Sequence, residues 1–170
     1  MDDARVVLRP ATAEDLWVFE RQAVEPDAAG VFNWSGFRDV RAARRRFEEN
    51  GLITADGGCL VVEHDRAVVG TVVWNRVWYG TAAWWCWNVG ISLLPEYRGK
   101  GVGTLAQRHL VAYLFGTGPV QRVEAYTDVE NLAEQRALEK AGFVREGVLR
   151  ATQFREGRWR DMVMYSVVRR

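Results

Sequence analysis

Residues 84–94 alternate strictly and then run into a loop with glycine at 99, 101 and 103, followed by an apolar run of helical period. Trp85, Trp87, Val89, Ile91 and Leu93 fall on one face, and Cys86, Asn88, Gly90 and Ser92 on the other. A period of two makes this a strand. One face is bulky and apolar, fit to seat helices, while the other is small and partly polar and leaves room for a ligand. The glycines permit positive φ and close backbone approach. The helix that follows offers unpaired N–H groups and a partial positive charge at its entry, which favour an anion. Successive N–H groups in such a turn form a nest for phosphate oxygens, and Arg98 and Lys100 add charge there. A pyrophosphate is the natural occupant.

Two familiar nucleotide loops do not fit. A Walker A loop needs Ser or Thr after Gly-Lys, but Gly101 follows Lys100 and Leu94 takes the place of the first glycine. Gly101-x-Gly103-x-x-Ala106 matches a dinucleotide fingerprint nominally, yet residues 95–100 separate it from its strand and no repeated βαβ units are present.

The rest of the chain predicts a mixed α+β single domain over 1–170. A short strand spans 6–9, stopped by Pro10, and Thr12 with Asp15 opens a helix burying Leu16, Phe19 and Ala23. Residues 26–36 read as an aromatic-bearing loop, and 39–50 as a helix closed by Gly51. Strands are expected at 59–63 and 67–78, joined by a turn at 64–66. A helix at 102–115, a strand at 122–127 and a helix at 131–141 follow. Asn131 with Glu134 resembles a capping box, and Gly142 with Phe143 a left-handed C-cap. Strands at 144–154 and 159–168 flank a turn at Glu156 and Gly157. The arginines at 41, 44 and 45 read as a solvated helix face.

Charge and cysteine usage narrow the function. With 23 basic and 22 acidic residues the net charge is +1, which gives no footprint for nucleic acid or an anionic membrane. Cys59 and Cys86 have no zinc spacing, His64 and His109 lie far apart, and no metal site is expected. No signal peptide or membrane-length apolar run is read, so a reducing, cytoplasmic compartment is expected.

The hexapeptide Arg98-Gly99-Lys100-Gly101-Val102-Gly103 resembles the acetyl-coenzyme A loop of the GNAT superfamily of N-acetyltransferases. Residues 93–101 look like the RimJ/RimL-type subgroup. Asn131 through Glu134 and Gln135, with Lys140-Ala141-Gly142-Phe143, resemble its second motif, and Asp161 with Tyr165 its closing strand. The resemblance covers almost the whole chain. It implies a central, mostly antiparallel twisted sheet flanked by helices, with a splayed strand pair that holds acetyl-CoA.

On that resemblance, backbone groups of Ile91, Leu93 and Leu94 hold the pantetheine arm. Arg98, Gly99, Lys100, Gly101, Val102, Gly103 and Thr104 hold the pyrophosphate, and Asn131 contacts the arm. The implied reaction is attack of a primary amine, on a small molecule or a protein N-terminus, on the thioester. Similar enzymes often carry Glu where Asn88 stands and Ser where Glu134 stands. Asn88, Ser92 and Glu134 are therefore candidates for catalysis without the usual chemistry, with Asp128 and Glu130 as further bases and Tyr126 and Tyr165 as further acids. Phe32, Trp34 and Trp84 are expected at the acceptor, among aromatics that include Phe37, Trp78 and Tyr79. The alternative reading is a non-catalytic acyl-CoA-binding module whose aromatic groove serves a partner. Dimers are common among similar enzymes, so a homodimer is compatible with the resemblance.

Overall fold

A computed structural model describes residues 6–80 and 85–170. In chain order the elements are β1 (Val6–Arg9), α1 (Leu16–Val24), α2 (Pro26–Ala29), α3 (Ala42–Asn50), β2 (Ile53–Thr54), β3 (Gly57–His64) and β4 (Ala67–Trp78). They continue with β5 (Trp85–Leu93), α4 (Val102–Thr117), β6 (Arg122–Asp128), α5 (Leu132–Ala141), β7 (Val144–Arg155) and β8 (Arg158–Val168). The strands form one sheet in the order β1-β3-β4-β5-β6-β8-β7, with β2 added beside β3. Every pairing is antiparallel except β5 with β6. The mostly antiparallel α+β sheet implied by the sequence is the one observed.

The two faces of β5 separate the helices. Val89 is buried with Ile91 and Leu93 against Leu105, Ala106 and Leu110 of α4, in a core that also takes Leu138 of α5. The opposite face, with Gly90 and Ser92, lies under α1 and α2. There Gln22 of α1 donates to Ser92 O at 3.4 Å, and its own Oε1 accepts from Thr71 of β4 at 3.3 Å. Trp85 and Trp87 are stacked edge to face and lie against the Arg76 guanidinium, 4.6 and 5.6 Å from the two ring centres.

Local signals fix most element ends. Asn131 caps α5 by accepting from the Glu134 N–H, and Gly142 is left-handed with Phe143 N–H returning to Leu138 O. Some bounds differ from the sequence reading. The region 26–36 begins with a helical turn, because Pro26 suits the first helical position. The third helix starts at Ala42, since Asp39 draws the Arg41 N–H into a turn ahead of it. The strand predicted from residue 84 is seen from Trp85 onward, and Trp84 lies outside the described residues.

Candidate functional site

The parallel ladder between β5 and β6 is short. It pairs Trp87 with Val123, Asn88 with Glu124 and Val89 with Ala125, and goes no further. From Gly90 to Leu93 on one side and Tyr126 to Asp128 on the other, the strands have no register with each other. A fork opens there. Leu94 N–H donates to Val69 O of β4, and the backbone groups of alternate residues point to opposite neighbours. Ile91 and Leu93 therefore turn theirs towards the fork. Leu93 O accepts from Arg98 Nε at 2.8 Å, so the fork is lined by both backbone groups of Ile91 and the N–H of Leu93.

The loop beyond β5 makes one 3-10 turn, Pro95–Tyr97, and then enters α4 through two left-handed glycines, Gly99 (φ 70°) and Gly101 (φ 77°). Leu105 N–H makes the first intrahelical bond, to Gly101 O at 3.2 Å. The N–H groups of Val102, Gly103 and Thr104 thus precede any helical acceptor. A Cβ on Gly103 would sit 3.6 Å from Leu93 and 3.8 Å from Ile91, so this helix entry packs directly beside the fork. Lys100 is exposed, its ammonium 5.7 Å from the Tyr97 ring centre.

Arg98 departs from its expected place. Its guanidinium donates to Leu93 O, Asp27 O and Ala28 O, with the Nη2 bonds at 2.7 and 3.1 Å. It clamps α2 to the end of β5 instead of reaching out for an anion. Burial pushes its pKa down.

On the α1–α2 face of the sheet, beside the fork, lies a carboxylate that the sequence reading did not single out. Glu124 is fully buried. It accepts from Tyr79 Oη at 2.6 Å, from Tyr126 Oη and from Arg122 Nε at 3.2 Å. Burial, then the contact with Glu124, pushes both tyrosines' pKa values up, so both hydroxyls keep their protons. Tyr126 is the first residue on that face beyond the last ladder pair. The signal was the polar alternation Arg122, Glu124, Tyr126, Asp128 along an otherwise apolar strand. Asn88 stands directly across from Glu124, its amide nitrogen 3.5 Å from Glu124 O. Burial, then the same carboxylate, pushes the Cys86 thiol up to about 12, and burial does so for Cys59. Neither is a thiolate at neutral pH.

The other expected site residues are distributed as follows. Ser92 donates to Ala29 O at 3.4 Å and lies under α2. Phe32 covers the Arg155 guanidinium at 4.9 Å, and Trp34 meets the exposed Phe37 edge on. Asp128 pairs with Arg155 at 2.6 Å, Glu130 with Arg160 at 2.8 Å, and Tyr165 donates to Glu139 at 3.1 Å. A cavity of about 470 Å³ lies on the face of Asn88 and Gly90, over Thr71, Val73 and Asn75 of β4, and neither Phe32 nor Trp34 lines it. Among the described residues no cluster of His, Cys, Asp and Glu could hold a metal. No helix of these residues is long and apolar enough to cross a membrane.

Glu134 does not complete a capping box. Its carboxylate turns to α4 and accepts from Gln107 Nε2 at 3.0 Å, one helical turn beyond Gly103. Burial pushes its pKa from 4.5 up to about 7, and Gln107 Oε1 is left without a partner. The unfolded chain therefore releases this proton at lower pH than the folded one. Stability is untouched below about pH 4.5 and falls as the pH rises through 7. Glu134→Gln should remove that loss: urea unfolding should show a gain on the order of 2 kcal/mol at pH 8 and none at pH 4. An unchanged difference at both pH values would show that the carboxylate is solvated.

Residues 5–144 match the family described as Acetyltransferase (GNAT) domain. The uncharacterized N-acetyltransferase p20 of Bacillus licheniformis is 27% identical over 172 residues, which span 98% of this chain and 94% of that protein. The fold resembles that of spermidine N-acetyltransferase from Vibrio cholerae, solved in complex with CoA and spermine. The TM-score is 0.82 at 18% identity, covering 97% of this chain and 96% of that one. It also resembles RimL, a ribosomal L7/L12 alpha-N-protein acetyltransferase in complex with coenzyme A, with a TM-score of 0.80 at 15% identity over 96% and 94% of the chains. The family match runs from the first strand to the start of β7, across the fork and the glycine entry alike, and this protein belongs to the GNAT acetyltransferase family.

Proposed function

We propose that this protein is an N-acetyltransferase that binds acetyl-CoA in the fork between β5 and β6 and transfers the acetyl group directly to a primary amine. The observation that carries this reading is the unpaired stretch of β5 leading straight into a helix entry with left-handed glycines. Ile91 N–H and C=O and Leu93 N–H suit the amide groups of a pantetheine arm. The free N–H groups at 102–104, with Lys100 beside them, suit a pyrophosphate. Arg98 acts on this site by holding the strand end, and Asn131 by ordering the first turn of α5. Acetyl-CoA supplies the thioester.

The chain's own residues then handle protons. The amine nitrogen forms its bond to the acetyl carbon as the carbon–sulfur bond breaks. Its proton passes to Tyr126 Oη while the hydroxyl's own proton moves to Glu124, so the tyrosine stays neutral throughout. Asn88 cannot take a proton and serves to orient the amine. Glu134, partly protonated near neutrality, is suited to return a proton to the departing thiolate. With both cysteines held as thiols, no acyl-cysteine step is needed.

The test is release of free thiol from acetyl-CoA over a panel of primary amines, with the wild type and Tyr126→Phe. The wild type should turn over, and the variant should lose about 100-fold in kcat at unchanged acetyl-CoA affinity. Tight acetyl-CoA binding without turnover on any amine would favour the binding-module reading instead.

A further inference from the structure

The cavity over β4 carries information about the acceptor. Its floor is Thr71, Val73 and Asn75, which stand beside Ser92, Gly90 and Asn88 of β5 in register. Adjacent strands lie about 4.8 Å apart. The cavity therefore ends one strand away from the fork, and the only β5 residue between Val73 and the fork is Gly90, which has no side chain to block the way. A molecule seated in the cavity can lay its amine across Gly90 towards Tyr126. A volume of about 470 Å³ suits a small molecule.

The charges around the cavity are unbalanced. Four charged residues line it: Arg38, Asp39, Arg46 and Asp56. Both carboxylates are already matched by guanidinium groups outside the lining. Asp39 accepts from Arg45 at 2.6 Å, and Asp56 lies 3.1 Å from Arg76. The two arginines have no such match. Arg38 donates at 2.7 Å to a backbone carbonyl, that of Gln22, and among the described residues neither it nor Arg46 has a carboxylate within ion-pair distance. Two cations thus face the cavity with no anion assigned to them.

Resting on the reading of the fork as the transfer site, we propose that this cavity is the acceptor site and that it selects an amine bearing an anionic group, held by Arg46 and Arg38. A carboxylate or a phosphate supplies the same charge and the same acceptor oxygens for a guanidinium fork. A polyamine would bring further positive charge to a surface that has an excess of it already.

The experiment compares four primary amines of similar length: 4-aminobutyrate, 2-aminoethyl phosphate, butylamine and 1,4-diaminobutane. Thiol release is measured with the wild type, Arg46→Gln and Arg38→Gln, and acetyl-CoA binding is followed separately by calorimetry. The wild type should show kcat/KM at least tenfold higher for one of the two anionic amines than for 1,4-diaminobutane. Whichever of the two is preferred identifies the anion as carboxylate or phosphate. In Arg46→Gln the ratio of kcat/KM for that amine over butylamine should fall about tenfold, carried by KM, and Arg38→Gln should lower it further in combination. Equal or better use of 1,4-diaminobutane overturns the proposal, as does a ratio unmoved by both substitutions. If no amine turns over, calorimetric titration of the two anionic amines into the CoA-bound protein decides, and absence of heat from both overturns it. Failure of acetyl-CoA itself to bind is a different result and overturns the reading of the fork.

Discussion

Gly101→Val should abolish measurable acetyl-CoA binding while leaving the fold intact. Gly101 is the N-cap of α4 in a left-handed conformation, φ 77° and ψ −7°. A β-branched residue is a genuine outlier there, so the chain would leave that conformation and carry the first-turn N–H groups out of alignment. On the proposed reading of the loop, a side chain at this position would also crowd the phosphate. A hydrogen bond to a charged group contributes about 1.5–3 kcal/mol, so losing two of them weakens binding by a factor of about 100 or more. Gly101→Asn separates the two causes. Asparagine tolerates the left-handed region but still adds a Cβ, so it should bind acetyl-CoA less tightly than the wild type and more tightly than the valine variant. Calorimetry reads both, with circular dichroism as the check on folding. Wild-type affinity in the valine variant would mean that the glycines serve packing alone.

That loop was legible in the sequence because everything that defines it is local. Alternation identified β5 and both of its faces, the glycine spacing identified the helix entry, and Asn131 and Gly142 marked the ends of α5 at the residues where they are found. Such signals depend on neighbours a few residues apart, which a single sequence displays. The destinations of long polar side chains depend on what the fold brings near. Arg98 sits in the glycine loop and reads as a phosphate ligand, yet its guanidinium is spent on carbonyls 70 and 71 residues away. Glu134 has the spacing of a capping box, and the approach of α4 offers Gln107 instead. The polar face of β6 could be recognised as unusual for a buried strand, but its pairing with Tyr79, 45 residues away, could not. The cavity proposed for the acceptor was out of reach of the sequence for the same reason. Aromatic residues of the 30–37 loop suggest a pocket wall, whereas this cavity is lined by α1, residues 38–40, α3 and strands β2, β3 and β4, which are distant in sequence, and by neither Phe32 nor Trp34.

The 30–37 loop carries the second large effect through its contacts with Arg155. Arg155→Met should cost about 3–5 kcal/mol of folding stability, because it strands a buried carboxylate. Arg155 and Asp128 are 4% and 1% exposed at their side chains and meet at 2.6 Å. Phe32 covers the guanidinium, and Nη1 donates to Val31 O at 3.1 Å, so the pair ties β6 and β7 to the loop. Losing the arginine leaves Asp128 with the Glu130 N–H at 2.8 Å as its remaining partner. For a chain of this length the melting temperature should fall by about 10 °C. Replacing both partners, as Asp128→Leu with Arg155→Met, should recover most of the stability, since an apolar pair of similar volume has no charge to desolvate. It should not recover the anchoring of the loop, because the bond to Val31 O is gone. Limited proteolysis around residues 31–40 should therefore be faster in both the single and the double variant, although only the single variant melts early. A single variant as stable as the wild type would show the pair to be solvated. A double variant with wild-type protection of the loop would show that the loop is held by Phe32 and Trp34 alone.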